Sequence, residues 1–443
     1  MTATLERWQA DFRTVAGNGA GSAPPWLKAL REGAMARFAS LGFPTTKQEE
    51  WRFTSVQGIA ETAFALPHVP RADAPSARTI AALELCEARR HLLVFVNGRF
   101  SGALSSIAGL PAGVRVGSLA EAMRSEGDLV RRHLGTAAAA ESRPFASLNT
   151  AFLLDGGFVH VPAGVQMEEP VQFLYLTVPG TSPIVSHPRS LVVVDRLARC
   201  AIVETYAAYG EGAYFTNAVT ELVVGDGGRL DYYRIQRENE KAYHVATTAS
   251  VQGRDTVVNA HPITLGGALA RHDISVVLNG ENGYSLLNGL YILGGRQHAD
   301  LHTTIDHAQP HCESHEYFNG VLDDRSHGVF NGRIIVRPGA QRTDSKQTNN
   351  NLVLSEEARA DSQPQLEIYA DDVKCTHGAT LGPIDEKAMF YLKSRGISPA
   401  EARSLLTYGF GAEIIDRMEI APLQAQLDRL IRHRLLGVGS RAA

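Results

Sequence analysis

Cysteine is scarce: four thiols stand in 443 residues, at Cys86, Cys200, Cys312 and Cys375, with no CxxC pair. Separations of 114, 112 and 63 residues argue against a disulfide framework and for a reducing compartment. They also exclude a self-contained site of four thiolates at motif-like spacings, so any metal–sulfur centre here needs ligands from another chain. A field of one sign is missing as well. Lys and Arg number 43 against 47 Asp and Glu, a net charge of −4, which offers nothing to nucleic acid. No apolar run approaches the ~20 residues of a membrane helix. Met1-Thr2-Ala3-Thr4-Leu5-Glu6 has neither a charged n-region nor an apolar h-region, so no signal peptide is expected and the expected location is cytoplasmic. No lysine follows a glycine, which excludes a GxxxxGK[ST] phosphate loop, and no GxSxG elbow occurs. Glycines at 225, 227, 228, 294 and 295 punctuate strands, so a dinucleotide fingerprint is weak. Any ATP use is expected in a partner.

What is present is an ordinary globular composition, 44% hydrophobic, long enough for two or three structural regions. Residues up to about Gln57 have helical spacing, with Trp26, Leu27, Leu30, Met35 and Phe38 after the Pro24-Pro25 break. An irregular Ala/Pro-rich piece follows from about Leu66 to Ser76. His91 to Val96 has the pattern of a buried strand with a turn at Asn97-Gly98, and Ser118 to Leu134 that of a helix. From about Phe158 to Lys374 short β-branched runs alternate with Gly, Asn and Asp, which suits a sandwich, a barrel or a β-helix. No strict internal period separates these. Helices return at the end: Ser398, Pro399 and Glu401 form a capping box after Gly396, and Pro422 to Leu436 carries Leu423, Leu427, Leu430 and Leu435 on one stripe.

The densest chemistry lies between Pro364 and Ile397, where Cys375 and His377 are two residues apart in a strand-like segment. Side chains at i and i+2 of a strand leave the same face, so thiol and imidazole are presented together. The Asp371-Asp372 doublet resets the alternation through a bend or bulge. A neighbouring imidazolium favours thiolate, and neutral imidazole is itself an iron ligand.

This stretch resembles the SufB/SufD family of iron–sulfur assembly scaffolds, most closely its SufD branch. The likeness extends to Lys47-Gln48-Glu49-Glu50-Trp51-Arg52-Phe53-Thr54, Ala340-Gln341-Arg342-Thr343-Asp344, Asn349-Asn350-Asn351-Leu352, Ser394-Arg395-Gly396-Ile397, and Ala402-Arg403-Ser404-Leu405-Leu406 with Gly409-Phe410. The resemblance implies a mainly β fold: a right-handed parallel β-helix core at 146–382, with a mostly helical N-terminal region at 1–145 and a C-terminal helical domain at 383–443. It implies a non-catalytic subunit that pairs with a SufB-like sister and docks a SufC-like ATPase, with a possible homodimer in isolation. In the family a histidine of this motif faces the sister's cysteine, and a transient iron–sulfur cluster is built between them. That role falls on His377, with Cys375 the weaker candidate. The sister carries a glutamate where this chain has Gly378, which favours the assisting role here. Leu405, Leu406 and Phe410, following the Ser398 cap, are the expected ATPase platform.

Other clusters have blander readings. His298, His302, His307, His311 and His315, with Asp300, Asp306, Cys312 and Glu313, could form the metal site of a hydrolase. Pro310 and the strand-favouring Thr303-Thr304-Ile305 break any single helical face, so most of these rings are expected to be satisfied by backbone groups; the family resemblance implies a belt that supports the subunit interface or the core. The amides at Asn349-Asn350-Asn351, with Gln341, Thr343, Asp344 and Gln347, are expected to bridge backbone at turns. Asp371 and Asp372 point to opposite faces and are poorly placed as an acid–base pair. A SufB-like primary scaffold, and a structural chain in which His377 is a core histidine, are the remaining alternatives.

Overall fold

The computed structural model describes residues 2–19, 24–67, 75–85, 91–138 and 143–436. Cys86 and most of the Ala/Pro-rich piece lie outside them. The β-branched middle of the chain winds into a parallel β-solenoid of about eight turns. Its strands fall alternately into two facing sheets of 11 and 10 strands. Strand His91–Val96, from the helical N-terminal part, runs parallel to Val171–Thr177 in the larger sheet.

One corner of the coil repeats. Leu197, Asp255, Asn282, His311 and Arg342 are all in the left-handed region, with φ between 54° and 62°, and Gly227 joins them at φ 66°. Each donates its backbone N–H to a carbonyl of the next coil: Leu197 to Asp226, Gly227 to Arg254, Asp255 to Glu281, Asn282 to Pro310, His311 to Gln341 and Arg342 to Asp372. The backbone conformation is constant while the side chain varies. Left-handed φ disfavours most side chains, and the ladder of N–H donors offsets that local cost.

Alternation along the strands makes three layers. Inward residues such as Ile202, Leu222, Tyr232, Ile274, Leu287, Leu301 and Phe318 form the core between the sheets. N-terminal helices Thr2–Gly19 and Pro25–Leu41 cover the outside of the smaller sheet, packing Trp8, Met35 and Phe38, with Trp51 from the turn Glu49–Trp51 that follows, against Phe215, Val245 and Leu269. C-terminal helices Pro399–Ile415 and Ala421–Leu436 cover the outside of the larger sheet, where Ile414, Leu423, Leu427 and Ile431 meet Tyr233, Ile263, Leu290 and Val321. The Ser398–Glu401 capping box is formed. The expected helix from Ser118 to Leu134 is instead two, Leu119–Ser125 and Gly127–His133, interrupted at Glu126 before a glycine. Among the described residues no helix is long and apolar enough to cross a membrane.

Candidate functional site

Among the described residues, no coil follows the last turn of the solenoid. Strand Lys374–Gly382 closes the larger sheet and pairs only with Asp344–Val353 among the described residues, and Arg359–Ile368 closes the smaller sheet. Most side chains of Lys374–Gly382 are exposed. The Asp371-Asp372 doublet is the bend by which the chain leaves one sheet for the other, not a bulge within a strand. Alternation restarts there because a new strand begins, and both aspartates stay exposed.

Cys375 stands in register with Ser345, and His377 with Gln347. Cys375 is half-buried and packs inward against Ile334, Val336, Ala340 and Ala370. His377, two residues on, shares that inward row, yet it is exposed because no further coil covers the end. Burial and then the Asp344 carboxylate push the Cys375 thiol up, against a backbone N–H of Ser345 that pulls it down. Burial and the Asp344 carboxylate thus favour the thiol form of Cys375, and the Ser345 N–H opposes them. Burial likewise raises Cys312, and pushes Cys200 up to about 12.

Behind each of these two residues runs a buried polar row. Ser314 and Ser345 stack behind Cys375, their hydroxyls 2.8 Å apart, and His307 Nε2 lies 2.9 Å from Ser314 Oγ. Glu316 and Gln347 stack behind His377, and Gln347 Nε2 donates to Glu316 Oε2. Glu316, wholly buried, has its carboxyl pushed up to about 7, because desolvation outweighs the nearby Thr303 and Gln347. The row of amides at Asn349-Asn350-Asn351 also lies within a strand, not at turns. Asn351 Nδ2 donates to Asn349 Oδ1 at 2.7 Å, and Thr380 Oγ1 to Asn350 Oδ1 at 2.7 Å. In a parallel coil each residue stacks on its in-register neighbour, so Asn350 bonds along the axis to Asn319 at 3.3 Å on one side and Thr380 on the other, while Asn349 and Asn351 bond within their own strand.

The histidine belt is scattered by the same geometry. Among the described residues no group of three or more His, Cys, Asp or Glu is arranged to hold a metal ion. His298, Asp300 and His302 point outward from the smaller sheet, His307 points inward, His311 is the left-handed corner residue, and His315 points outward from the larger sheet. Partners are mostly side chains, correcting the expected backbone contacts. His302 Nε2 lies 2.9 Å from Asp300 Oδ1, and His315 Nε2 lies 3.0 Å from Glu313 Oε1.

The outward half of the belt receives the Lys47–Thr54 motif. Arg271 Nη1 donates to the Glu50 carbonyl at 2.7 Å and to Asp300 Oδ2 at 2.6 Å, and its guanidinium lies 3.7 Å from the Trp51 ring centroid. Thr54 Oγ1 donates to Asp300 Oδ2 at 2.5 Å and sits 2.7 Å from His298 Nε2. Thr54 spends its one hydroxyl proton on Asp300, so it accepts from His298 Nε2, and desolvation lowers the His298 ring to about 4. This docking was not foreseen from sequence, because Arg271 lies in a strand with no recognised motif.

On the C-terminal helices, Leu405 is 44% exposed, while Leu406 and Phe410 are half-buried. Phe410 packs on the solenoid side, and its carbonyl accepts from Asn319 Nδ2 at 3.0 Å. Helix Glu386–Ser394 has no buried residue, and its Phe390 and Tyr391 are 72% and 57% exposed. The signal for this pair was the run Met389-Phe390-Tyr391-Leu392, since four consecutive apolar residues on a helix cannot share one face.

Two family models cover nearly the whole chain: "SUF system FeS cluster assembly, SufBD core domain" matches residues 177–410, and "SufBD protein N-terminal region" matches 10–173. An iron-sulfur cluster assembly SufBD family protein of Synechocystis is 34% identical over 414 residues, covering 92% of this chain and 90% of the relative. The iron-sulfur cluster assembly protein SufD of Escherichia coli is 31% identical over 398 residues, 89% of this chain and 90% of its own. SufD of Bacillus subtilis is 27% identical over 432 residues, 93% and 94% of the two chains. The chain belongs to the SufBD family of iron–sulfur cluster assembly proteins.

Proposed function

We propose that this chain is the SufD-like subunit of a scaffold complex, paired with a SufB-like sister and docked to a SufC-like ATPase, supporting de novo cluster assembly without catalysing a reaction itself. The cluster is cargo, held transiently between the two scaffolds, with His377 as this chain's contribution and Cys375 as an accessory. The observation that carries the reading is the end of the solenoid, where strand Lys374–Gly382 has, among the described residues, no partner on its outer edge and carries an exposed His377. An exposed parallel edge is a template for a further strand from another chain. A homodimer through that edge in isolation belongs to the same reading.

Docking of the ATPase is assigned to the outer helical surface that includes Leu405, with Leu406 and Phe410 beneath it. Exposure of Phe390 and Tyr391 on the adjoining helix supports an apolar partner there. A cytoplasmic location is supported by the few, scattered, unpaired thiols. The division at 1–145, 146–382 and 383–443 is supported by the clustering of helices at both ends of the chain.

The test is iron and acid-labile sulfide in the complex purified anaerobically with sister and ATPase, comparing wild type with His377→Ala at equal subunit stoichiometry. Both elements should fall while the complex stays whole, because one imidazole is a small part of an interface of ordinary size. Unchanged content would move the chemistry to the sister chain.

A further inference from the structure

His377 is the exposed end of a buried in-register column, and the residue behind it is incompletely bonded. Leu287, Glu316, Gln347 and His377 occupy successive strands of the larger sheet in register. Glu316 and Gln347 are 0% and 1% exposed. Gln347 spends its Nε2 on Glu316, and its Oε1 has no hydrogen-bond partner. A buried amide oxygen left unpaired is destabilising, so such an atom in a column this ordered points to a partner that arrives from the next position. That position is His377, one strand spacing of about 4.8 Å away.

The column is also built to hold the amide. Gly332, on the facing strand, has its Cα so close that an added Cβ would lie 2.2 Å from Gln347 Nε2 and 2.8 Å from Oε1. Only glycine leaves room for the amide at that point, and Glu316 grips it from behind. A metal-binding histidine characteristically donates its second ring N–H to an oxygen that fixes ring orientation and tautomer. We propose that Gln347, gripped by Glu316 and seated on Gly332, is the positioning residue for His377: its Oε1 accepts one ring N–H and leaves the other ring nitrogen aimed at the open end. This rests on the reading that His377 serves cluster assembly. The contact itself does not.

The experiment therefore separates the two. In the isolated full chain carrying 15N-histidine, long-range proton–nitrogen correlation reports the His377 ring tautomer, identified by its loss in His377→Ala. Wild type should show one dominant neutral tautomer. Gln347→Met, matched in length but without the oxygen, should show a mixture. In the complex, iron and sulfide should fall about tenfold or more in Gln347→Met, the usual cost of losing an orienting partner. Should Gln347→Met fail to fold, Gly332→Ala displaces the amide while removing no polar group, and should mix the tautomers too. An unchanged ring signature in the variant that folds overturns the proposal. So does a changed ring with full iron and sulfide when His377→Ala lowers both. If His377→Ala leaves them unchanged while Gln347→Met still mixes the tautomers, the contact stands and the functional reading falls.

Discussion

Arg271 and Asp300 stand in register on adjacent strands of the smaller sheet, both buried, with Arg271 Nη1 2.6 Å from Asp300 Oδ2. Burial alone would raise the Asp300 carboxyl, but Arg271, His302 and Thr54 outweigh it and hold the group well below the carboxylate range. Removing the arginine leaves a buried carboxylate uncompensated and unseats Trp51. Arg271→Ala should therefore cost about 3–5 kcal/mol in chemical denaturation, with early proteolysis near residues 47–54. A loss below about 1 kcal/mol would show that the motif is held by something else.

The sign of pH dependence differs at Glu316. Its folded-state carboxyl titrates at about 7, against about 4.3 when unfolded. Between those values the native state keeps a proton that the unfolded chain has lost. The associated stability is fully present below about pH 4 and disappears as pH rises through about 7, amounting to about 4 kcal/mol. Glu316→Gln should flatten the fall in unfolding free energy between pH 5 and 8. An identical slope in wild type and variant would refute the assignment.

At Gly378 the structure sets no steric demand. A Cβ there meets nothing within 4 Å and the backbone is not left-handed. Gly378→Glu, which gives this strand the carboxylate implied for the sister, should change stability by no more than about 0.5 kcal/mol. A melting temperature lowered by many degrees would mean that the glycine serves the fold.

Leu405 and Phe410 separate docking from folding. Leu405→Asp lies on exposed surface and should release the ATPase in a pull-down with the unfolding midpoint unmoved. Phe410→Asp also cuts into the contact between helix and solenoid, and should lose about 1–3 kcal/mol besides. Retention of the ATPase by both variants would remove this face from the interface.

Much was settled by local chemistry. The capping box at Ser398 and Glu401, the apolar stripe through Leu423 and Leu427, the strand at His91–Val96 and the pairing of Cys375 with His377 on one face follow from period and propensity over a few residues, which sequence carries directly. The coil does not show itself in this way. Tyr232, Ala260, Leu287, Glu316, Gln347 and His377 form one in-register row, but its steps vary from 27 to 31 residues, and the repeated corner is occupied in turn by Leu197, Gly227, Asp255, Asn282, His311 and Arg342. What repeats is a backbone angle and a hydrogen bond, neither of which has a fixed letter. Only the tertiary structure therefore decided that His311 turns a corner while His307 faces inward, that Arg271 receives Trp51, and that Glu316 and Gln347 stand behind His377. Those relationships join residues about 30 or over 200 positions apart, and they arise from stacking along the solenoid axis and docking across its face, where spacing in the chain carries no information.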